Sequence, residues 1–312
     1  MDAATVERFE ANRRRLASLA YRLLGSAADA EDAVQDTYLR WHAAERQHIE
    51  VPEAWLTRVL TNVSLDRLRS AQLRRERAAG DWLPEPLLDG DPMLGPADTV
   101  EQRESVTMAV LTLMERLQPV ERAVYVLREA FAYSHAEIAA MLDITESASQ
   151  QHAHRSRRRV AAARVVTGLD DAAAGRVVEA FLAAAASGRV DRLVALLTED
   201  ATAISDGAGP VRRWARLSKP ERIAAALRAA LRPTAAIQRL VGGSPQLRAA
   251  LVNGGPALVA VLGDRVVGVV VMEPRDGRIA VLRGISDPQR LGRLSRQWQR
   301  RHRTGDEAAR PG

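Results

Sequence analysis

The side chains best suited to chemistry lie close together in one stretch of the 312-residue chain. Short polar side chains come first and arginines follow, an order that suits hydrogen bonds to base edges and then to phosphates. The candidate residues are Ser147, Ser149, Gln150, Gln151, His154, Arg155, Arg157 and Arg158. From Arg155 to Arg164 there are five arginines and no acid. An ordinary solvated helix face is the alternative interpretation.

The element that must position this stretch is predicted to be a helix-turn-helix. Ser134 and Glu137 have the spacing of a capping box at the start of a short helix. Asp143–Thr145 forms a tight turn, and a second helix runs from Glu146 to about Val165. Aspartate can adopt the left-handed conformation that such a turn requires. Because the cap, the turn length and the charge placement agree, the pattern favours DNA binding over a solvated face.

Two further segments could bind partners. An arginine-rich run, Arg67–Arg77, ends a helix that starts near Pro52 and could hold a flipped base or a single strand. Its arginines could equally offset the helix dipole. Acids from Asp29 to Asp36 lie beside an apolar ridge that ends in Tyr38 and Trp41, which suits protein docking or a solvated face.

Composition excludes several classes of protein. The chain has no cysteine, so disulfide scaffolds, cysteine-bound metals and thiol catalysis are excluded. His152 and His154 are two residues apart and point in different directions on a helix, so they cannot share a metal. The net charge is +6, yet residues 1–168 hold 22 arginines and 25 acids, so only local clusters argue for nucleic acid. No apolar stretch approaches the ~18 residues of a membrane span, and we expect a soluble cytoplasmic protein.

The chain is predicted to be multidomain. We expect helical domains at 1–79 and 99–167, a Pro-rich acidic linker at 80–98, an α+β domain at 168–304 and a disordered tail at 305–312. Helices are predicted at about 101–117, 172–187, 189–198 and 219–231. Strand patterns from 246 to 285, with hairpin turns at Gly263-Asp264 and Asp276-Gly277, predict a curved antiparallel sheet. Trp82, Leu83, Leu87 and Leu88 make the linker too apolar for a free spacer and indicate that it docks.

Three ordered runs carry a resemblance to a known family: DAEDAVQDTYLRW, VPEAWLTRVLTNVSLDRLRSA, and the run from Leu117 through Val160 that contains the helix-turn-helix. Together they resemble a group IV (extracytoplasmic-function, ECF) RNA polymerase sigma factor over nearly all of residues 6–165. The resemblance implies that the first run binds core RNA polymerase through Asp32, Gln35, Asp36 and Tyr38. It implies that Asn62, Asp66, Arg67 and Arg69 handle the −10 element, and that the helix-turn-helix reads the −35 element.

The remaining segments WLPEP (82–86), SDGAGPV (205–211), VNGGPALV (252–259) and ISDPQRL (285–291) resemble the sigma subgroup with a SnoaL-like C-terminal domain. The resemblance implies a cone-shaped α+β fold that contacts the sigma part and regulates it in cis. The contact would join Trp82, Leu83 and Pro84 to a loop containing Asp206, Gly207 and Gly209. A small apolar ligand in the cone and a separate anti-sigma protein both stay open.

Catalysis is not expected of this chain. SnoaL-like folds include polyketide cyclases and isomerases, which need a general acid or base in the cone. No histidine lies between residues 155 and 301, and Asp206 stands beside glycines, as in a loop. We therefore predict a transcription initiation factor with no metal or cofactor. The alternative is a ligand-responsive helix-turn-helix regulator that acts without core polymerase.

Overall fold

The computed structural model describes residues 3–75, 82–95, 99–161, 171–210, 216–231 and 234–308. It contains two compact units, one of Met1–Ala79 with Gly90–Arg164 and one of Gly80–Asp89 with Val165–Gly312. The division between Asp89 and Gly90 falls inside the predicted linker. No helix in the described ranges is long and apolar enough to cross a membrane.

The described residues of the first unit form helices and the turns between them, with no strand. Its helices are α1 (Ala3–Leu24), α2 (Ala27–Ala43), α3 (Pro52–Arg75), α4 (Val100–Glu104), α5 (Met108–Met114), α6 (Pro119–Glu129), α7 (His135–Leu142) and α8 (Glu146–Ala161). Apolar residues at three- and four-residue spacing form one buried stripe along each long helix. Leu16, Leu23 and Leu60 belong to these stripes. Ser26 lies in the turn between α1 and α2. Its hydroxyl caps α2 by accepting a hydrogen bond from the Asp29 amide at 3.2 Å.

The prediction of a single helix over 101–117 is wrong, because the structure has two helices there, α4 and α5. The backbone turns between Ser105 and Thr107, and the Thr107 hydroxyl accepts from the Val110 amide at 3.3 Å. This side-chain cap starts α5 afresh and satisfies an amide that a continuous helix would bond internally.

The two predicted helical domains pack into this single unit. Buried Arg22 of α1 donates from Nε to Ser105 Oγ at 2.9 Å and from Nη2 to the Leu94 carbonyl at 2.8 Å. Burial lowers the pKa of Arg22 to about 10, and these acceptors offset the cost of placing its charge in the interior. Arg15 of α1 also donates to the Tyr133 hydroxyl at 2.8 Å, just before α7. Arg22 thus joins α1 to the end of the linker and to the turn between α4 and α5, and Arg15 joins α1 to the residue that precedes the helix-turn-helix.

The second unit is an α+β domain. Its helices are α9 (Asp171–Ala186), α10 (Val190–Ala195), α11 (Pro220–Leu231), α12 (Ala235–Val241) and α13 (Pro288–Ala308). Its strands are β1 (Leu197–Ser205), β2 (Arg216–Ser218), β3 (Gln246–Val252), β4 (Gly255–Leu262), β5 (Arg265–Arg275) and β6 (Arg278–Ile285). They form one sheet in the order β2-β1-β6-β5-β4-β3. Phe181, Leu193 and Leu227 of the helices pack on Met272 and Leu282 of the sheet.

The α+β fold and both predicted hairpin turns are confirmed, and several details are corrected. The sheet is mixed, since β1 pairs parallel with β6 while the other pairs are antiparallel. The predicted helix over 189–198 ends at Ala195, and β1, β2, α12 and α13 were not predicted. The tail expected to be disordered from residue 305 is helical to Ala308, and 309–312 lie outside the described residues.

Candidate nucleic-acid interface

The helix-turn-helix is confirmed and is closed by local hydrogen bonds. Ser134 and Glu137 form the predicted capping box, with amide-to-side-chain distances of 3.2 and 2.7 Å. Asp143 ends α7 in the left-handed conformation, at φ 55°. The Ile144 amide then returns to the Ala139 carbonyl at 3.1 Å. These bonds fix the direction in which α8 leaves the turn.

One face of α8 is exposed and carries most of the predicted base-contacting residues. The exposed members of this reading face are Ser147, Gln150, Gln151, His154 and Arg158. They recur at three- and four-residue spacing, so they form one stripe along the helix. The opposite stripe, Ser149, Ala153, Ser156 and Val160, is buried. None of these five side chains is acidic, which suits the negative potential of DNA.

Ser149 was predicted to contact DNA, and its position contradicts that role. Its side chain is fully buried, and its Oγ lies 2.9 Å from Nδ1 of His135 on α7. A buried hydroxyl that bonds the preceding helix cannot reach a base edge. It joins the two helices instead.

Two of the predicted arginines are held by acids of α6. Arg155 Nε donates to Glu121 at 3.0 Å, and Arg159 Nη1 donates to the other carboxylate oxygen at 2.6 Å. Arg157 pairs with Glu129 at 2.7 Å. Sequence reasoning missed Glu121, a 4% exposed acid that also closes the start of α6. Arg155 and Arg157 therefore flank the reading face and fix α8 on α6, whereas Arg158 stands on the face itself.

His152 lies beside this ion-pair cluster. Partial burial, and then the Arg155 guanidinium, lower the pKa of His152. The imidazole is therefore neutral near pH 7. In that state Nδ1 can accept the 2.8 Å hydrogen bond from Arg155 Nη2.

The candidate residues on α2 and α3 meet across the gap between these helices. Asp32 and Gln35 are exposed on α2, and Asn62, Asp66 and Arg69 are exposed on α3. Arg67 turns from α3 toward α2 and donates to Asp36 at 2.7 Å, with Asp32 at 3.7 Å. Two sets predicted to have different partners therefore share an ion pair. The side chains after Ser70 in the arginine-rich run lie outside the described residues.

Tyr38 is only partly available as a contact residue. Its ring meets Phe9 of α1 edge-on at 5.0 Å and stacks on His42 at 6.3 Å. Leu39, the next residue, is 55% exposed and was not predicted. It lies four and seven positions beyond Gln35 and Asp32, so the three share one stripe. The sequence signal that could have identified Leu39 is an apolar residue on an otherwise polar helix face.

Comparison with known proteins assigns the fold to a family. Residues 8–74 match Sigma-70 region 2, and residues 107–160 match Sigma-70, region 4. The ECF RNA polymerase sigma factor SigJ of Mycobacterium tuberculosis is 36% identical over 304 residues, covering 92% of this chain and 93% of that protein. The chain belongs to the ECF RNA polymerase sigma factors. The crystal structure of SigJ aligns with a TM-score of 0.69 at 32% identity, over 92% of this chain and 98% of that one.

A second relative aligns with this chain over nearly its whole length. The probable ECF RNA polymerase sigma factor SigI of M. tuberculosis is 30% identical over 291 residues, covering 92% of this chain and 94% of its own length. Both alignments continue far beyond region 4. This sigma factor therefore shares its C-terminal α+β domain with these relatives.

The linker of this sigma factor docks on the C-terminal domain. Leu87 and Leu88 are buried, and Leu88 forms a β-bridge with Val252 at the end of β3. The Leu87 amide donates to Asn253 Oδ1 at 2.8 Å, and its carbonyl accepts from the Asn253 amide at 2.9 Å. Asp89 adds a 2.9 Å bond from the Gly254 amide to its carboxylate. Sequence reasoning missed this contact with the β3–β4 turn.

Trp82 and Leu83 were predicted to contact the loop that contains Asp206. In the structure they contact the start of α13. Arg290 lies 5.6 Å from the Trp82 ring centre and donates to the Leu83 carbonyl. Pro84 is buried beside them. The predicted loop partner, Asp206, accepts from the Ser286 and Asp287 amides at 2.9 and 2.8 Å, immediately before α13. Asp206 thus orders the turn from which Arg290 reaches the linker. Val211, the last residue of the predicted loop, lies outside the described residues.

Gly209→Ala should destabilise the C-terminal domain by about 2–4 kcal/mol, through left-handed strain plus steric overlap. Gly209 has φ 49°, and an added Cβ would lie 2.8 Å from Ser286 Cβ. Gly207→Ala is the matched control, because φ is 75° there but no atom lies within 4 Å. It should cost about 1 kcal/mol. Thermal unfolding of both variants tests this, and equal losses would contradict the packing of Gly209 on Ser286.

Proposed function

We propose that this sigma factor binds core RNA polymerase and directs it to promoters with a −35 and a −10 element. The observation that carries the proposal is the reading face of α8. Its amide, hydroxyl and imidazole groups supply donors and acceptors for base edges, and Arg158 supplies a phosphate contact. Arg155 and Arg157 serve chiefly to hold α8 on α6, since their guanidinium groups already bond Glu121 and Glu129.

The −10 element is proposed to bind along α3. Asn62 and Arg69 are exposed there, and Asp66 pairs with Arg69 at 3.1 Å, which restrains the direction of that guanidinium. Arg67 is proposed to set the position of α3 on α2 through Asp36. An unstacked strand could then bond the amide of Asn62 while Arg69 contacts its backbone.

Core polymerase is proposed to dock on the α2 stripe of Asp32, Gln35 and Leu39. An exposed apolar side chain ringed by polar groups is typical of an interface anchor. We expect Leu39→Ala to weaken binding to core polymerase by about 5- to 30-fold, the range for loss of an anchor worth about 1–2 kcal/mol. Folding should be unaffected because the side chain is 55% exposed.

Fluorescence titration of labelled sigma factor with core polymerase measures this effect. The matched control is Leu240→Ala on α12, where leucine is 59% exposed. It should leave core affinity unchanged. Equal affinity of the Leu39 variant and the wild type would overturn the docking assignment.

Regulation in cis is proposed to act through the docked linker. Residues 82–89 bond the C-terminal domain, and residues 91–94 contact α1, with Met93 buried there. The two halves adjoin at Gly90, so a change in linker docking on the C-terminal domain would act directly on the segment that packs against region 2. This continuity supports regulation without a separate protein.

A further inference from the structure

The C-terminal domain contains an apolar chamber. It has a volume of about 200 Å³ and lies between α11, α12 and the sheet. Leu231, Ile237 and Leu258 line it, and Ser286 is the one residue with a polar side chain among its described lining residues. A single water occupies about 30 Å³, and apolar cavities of this size bind apolar molecules more readily than water.

A second cleft of about 490 Å³ adjoins the chamber and is lined by both apolar and polar residues. The two share Pro210, Val241, Val267 and Ser286. At the cleft, Arg265 and Arg296 are exposed, and neither forms an ion pair within the described ranges. Arg265 makes only a 3.4 Å bond to the Val241 carbonyl there. No acid is found among the described residues that line the chamber or the cleft.

We propose that the chamber and cleft form one binding site for a monoanionic amphiphile, such as a fatty acid or an aromatic acid. The apolar body occupies the chamber, and the anionic group lies in the cleft near Arg265 and Arg296. The Ser286 hydroxyl stands where the two volumes meet and donates to a polar atom of the ligand. Combined, the volumes fall within the range of about 300–1,000 Å³ usual for small-molecule sites. An apolar chamber alone would select a neutral ligand, and the two unpaired arginines select an acid.

The site adjoins the linker contact. Asp206 holds the backbone of Ser286, and α13 begins two residues later, with Arg290 in its first turn. A ligand bound at Ser286 would therefore contact the turn that positions Arg290 on the Leu83 carbonyl. The binding proposal itself does not depend on any activity in transcription.

Two fluorescent probes with the same aromatic body test the proposal on the full chain. Anilinonaphthalene sulfonate is anionic, and N-phenylnaphthylamine is its neutral counterpart. We expect saturable binding of both, with the sulfonate about tenfold tighter, and displacement of both by dodecanoate. Arg265→Gln combined with Arg296→Gln should bring the two affinities within about twofold. Equal affinities in the wild type, or a preference that survives the double substitution, would overturn the proposal.

Gly268→Leu tests the chamber. An added Cβ at Gly268 would lie 3.5 Å from Ser286 Oγ and 3.8 Å from Ala260 Cβ, in ordinary contact, so the longer side chain enters the chamber. Both probes should lose binding. Ala249→Leu, which places the same side chain at an exposed position of β3, should bind as the wild type does. If Gly268→Leu retains the wild-type affinity for both probes, the chamber is not the binding site. If this variant misfolds, the comparison of the two probes on the wild type and the double arginine variant decides the proposal.

Discussion

Replacing Gln150 and Gln151 together with alanine should reduce promoter-specific initiation by roughly 30- to 700-fold, since two side-chain contacts to bases are together worth about 2–4 kcal/mol. Both amides are exposed on the reading face of α8, so their loss should leave the packing of the helix-turn-helix intact. Run-off transcription with reconstituted holoenzyme measures the loss. Thermal unfolding and core affinity should match those of the wild type.

Gln289→Ala is a suitable control for this experiment. Gln289 is an exposed amide in the first turn of α13, in the other unit. Its replacement should leave initiation unchanged. Arg155→Ala is less diagnostic, because removing this guanidinium also releases buried Glu121. Unchanged initiation by the Gln150 and Gln151 variant would contradict the assignment of α8 to the −35 element.

Introducing aspartate at both Leu87 and Leu88 should undock the linker and change transcription at least about tenfold, because burying unpaired carboxylates costs several kcal/mol. The two leucines are 0% and 2% exposed against the β3–β4 turn. The change should have the same direction as removal of all residues after 170. That direction, measured by run-off transcription, reports whether the C-terminal domain activates or inhibits.

Ala225→Asp controls for the added charge, because that alanine is exposed on α11 and lines neither the chamber nor the cleft. It should transcribe as the wild type does. Limited proteolysis near Trp82 gives an independent readout of undocking. A variant that is cleaved readily in the linker, yet transcribes normally, would overturn regulation through the linker.

The helix-turn-helix could be predicted because each of its signals is local. Ser134 and Glu137 are three residues apart, and the left-handed turn needs only Asp143. The error at Ser149 was avoidable, since its spacing from Ala153, Ser156 and Val160 already places it on the buried stripe. The partner of Arg155 was not predictable in this way. Glu121 lies 34 residues earlier, and only the packing of α8 on α6 brings the two together.

Strand β1 was missed because most of its buried positions are occupied by small residues. Ala201, Ala203 and Ser205 alternate with more exposed residues, but alanine has low strand propensity and the run follows an Ala-rich helix. Its parallel pairing with β6 joins residues about 80 apart in sequence, which a local pattern does not encode. The docking of the linker was predicted from its apolar residues Trp82, Leu83, Leu87 and Leu88. Its attachment to Asn253 depends on the hairpin and required the structure.

The most direct test of the account is run-off transcription by purified core polymerase on the region upstream of this protein's own gene, with and without the chain. The account predicts a specific transcript that requires both components and is lost when the −35 bases are changed. It also predicts that the chain binds core polymerase before DNA. Duplex binding with no association with core polymerase, and no transcript, would contradict it and favour a helix-turn-helix regulator that acts alone.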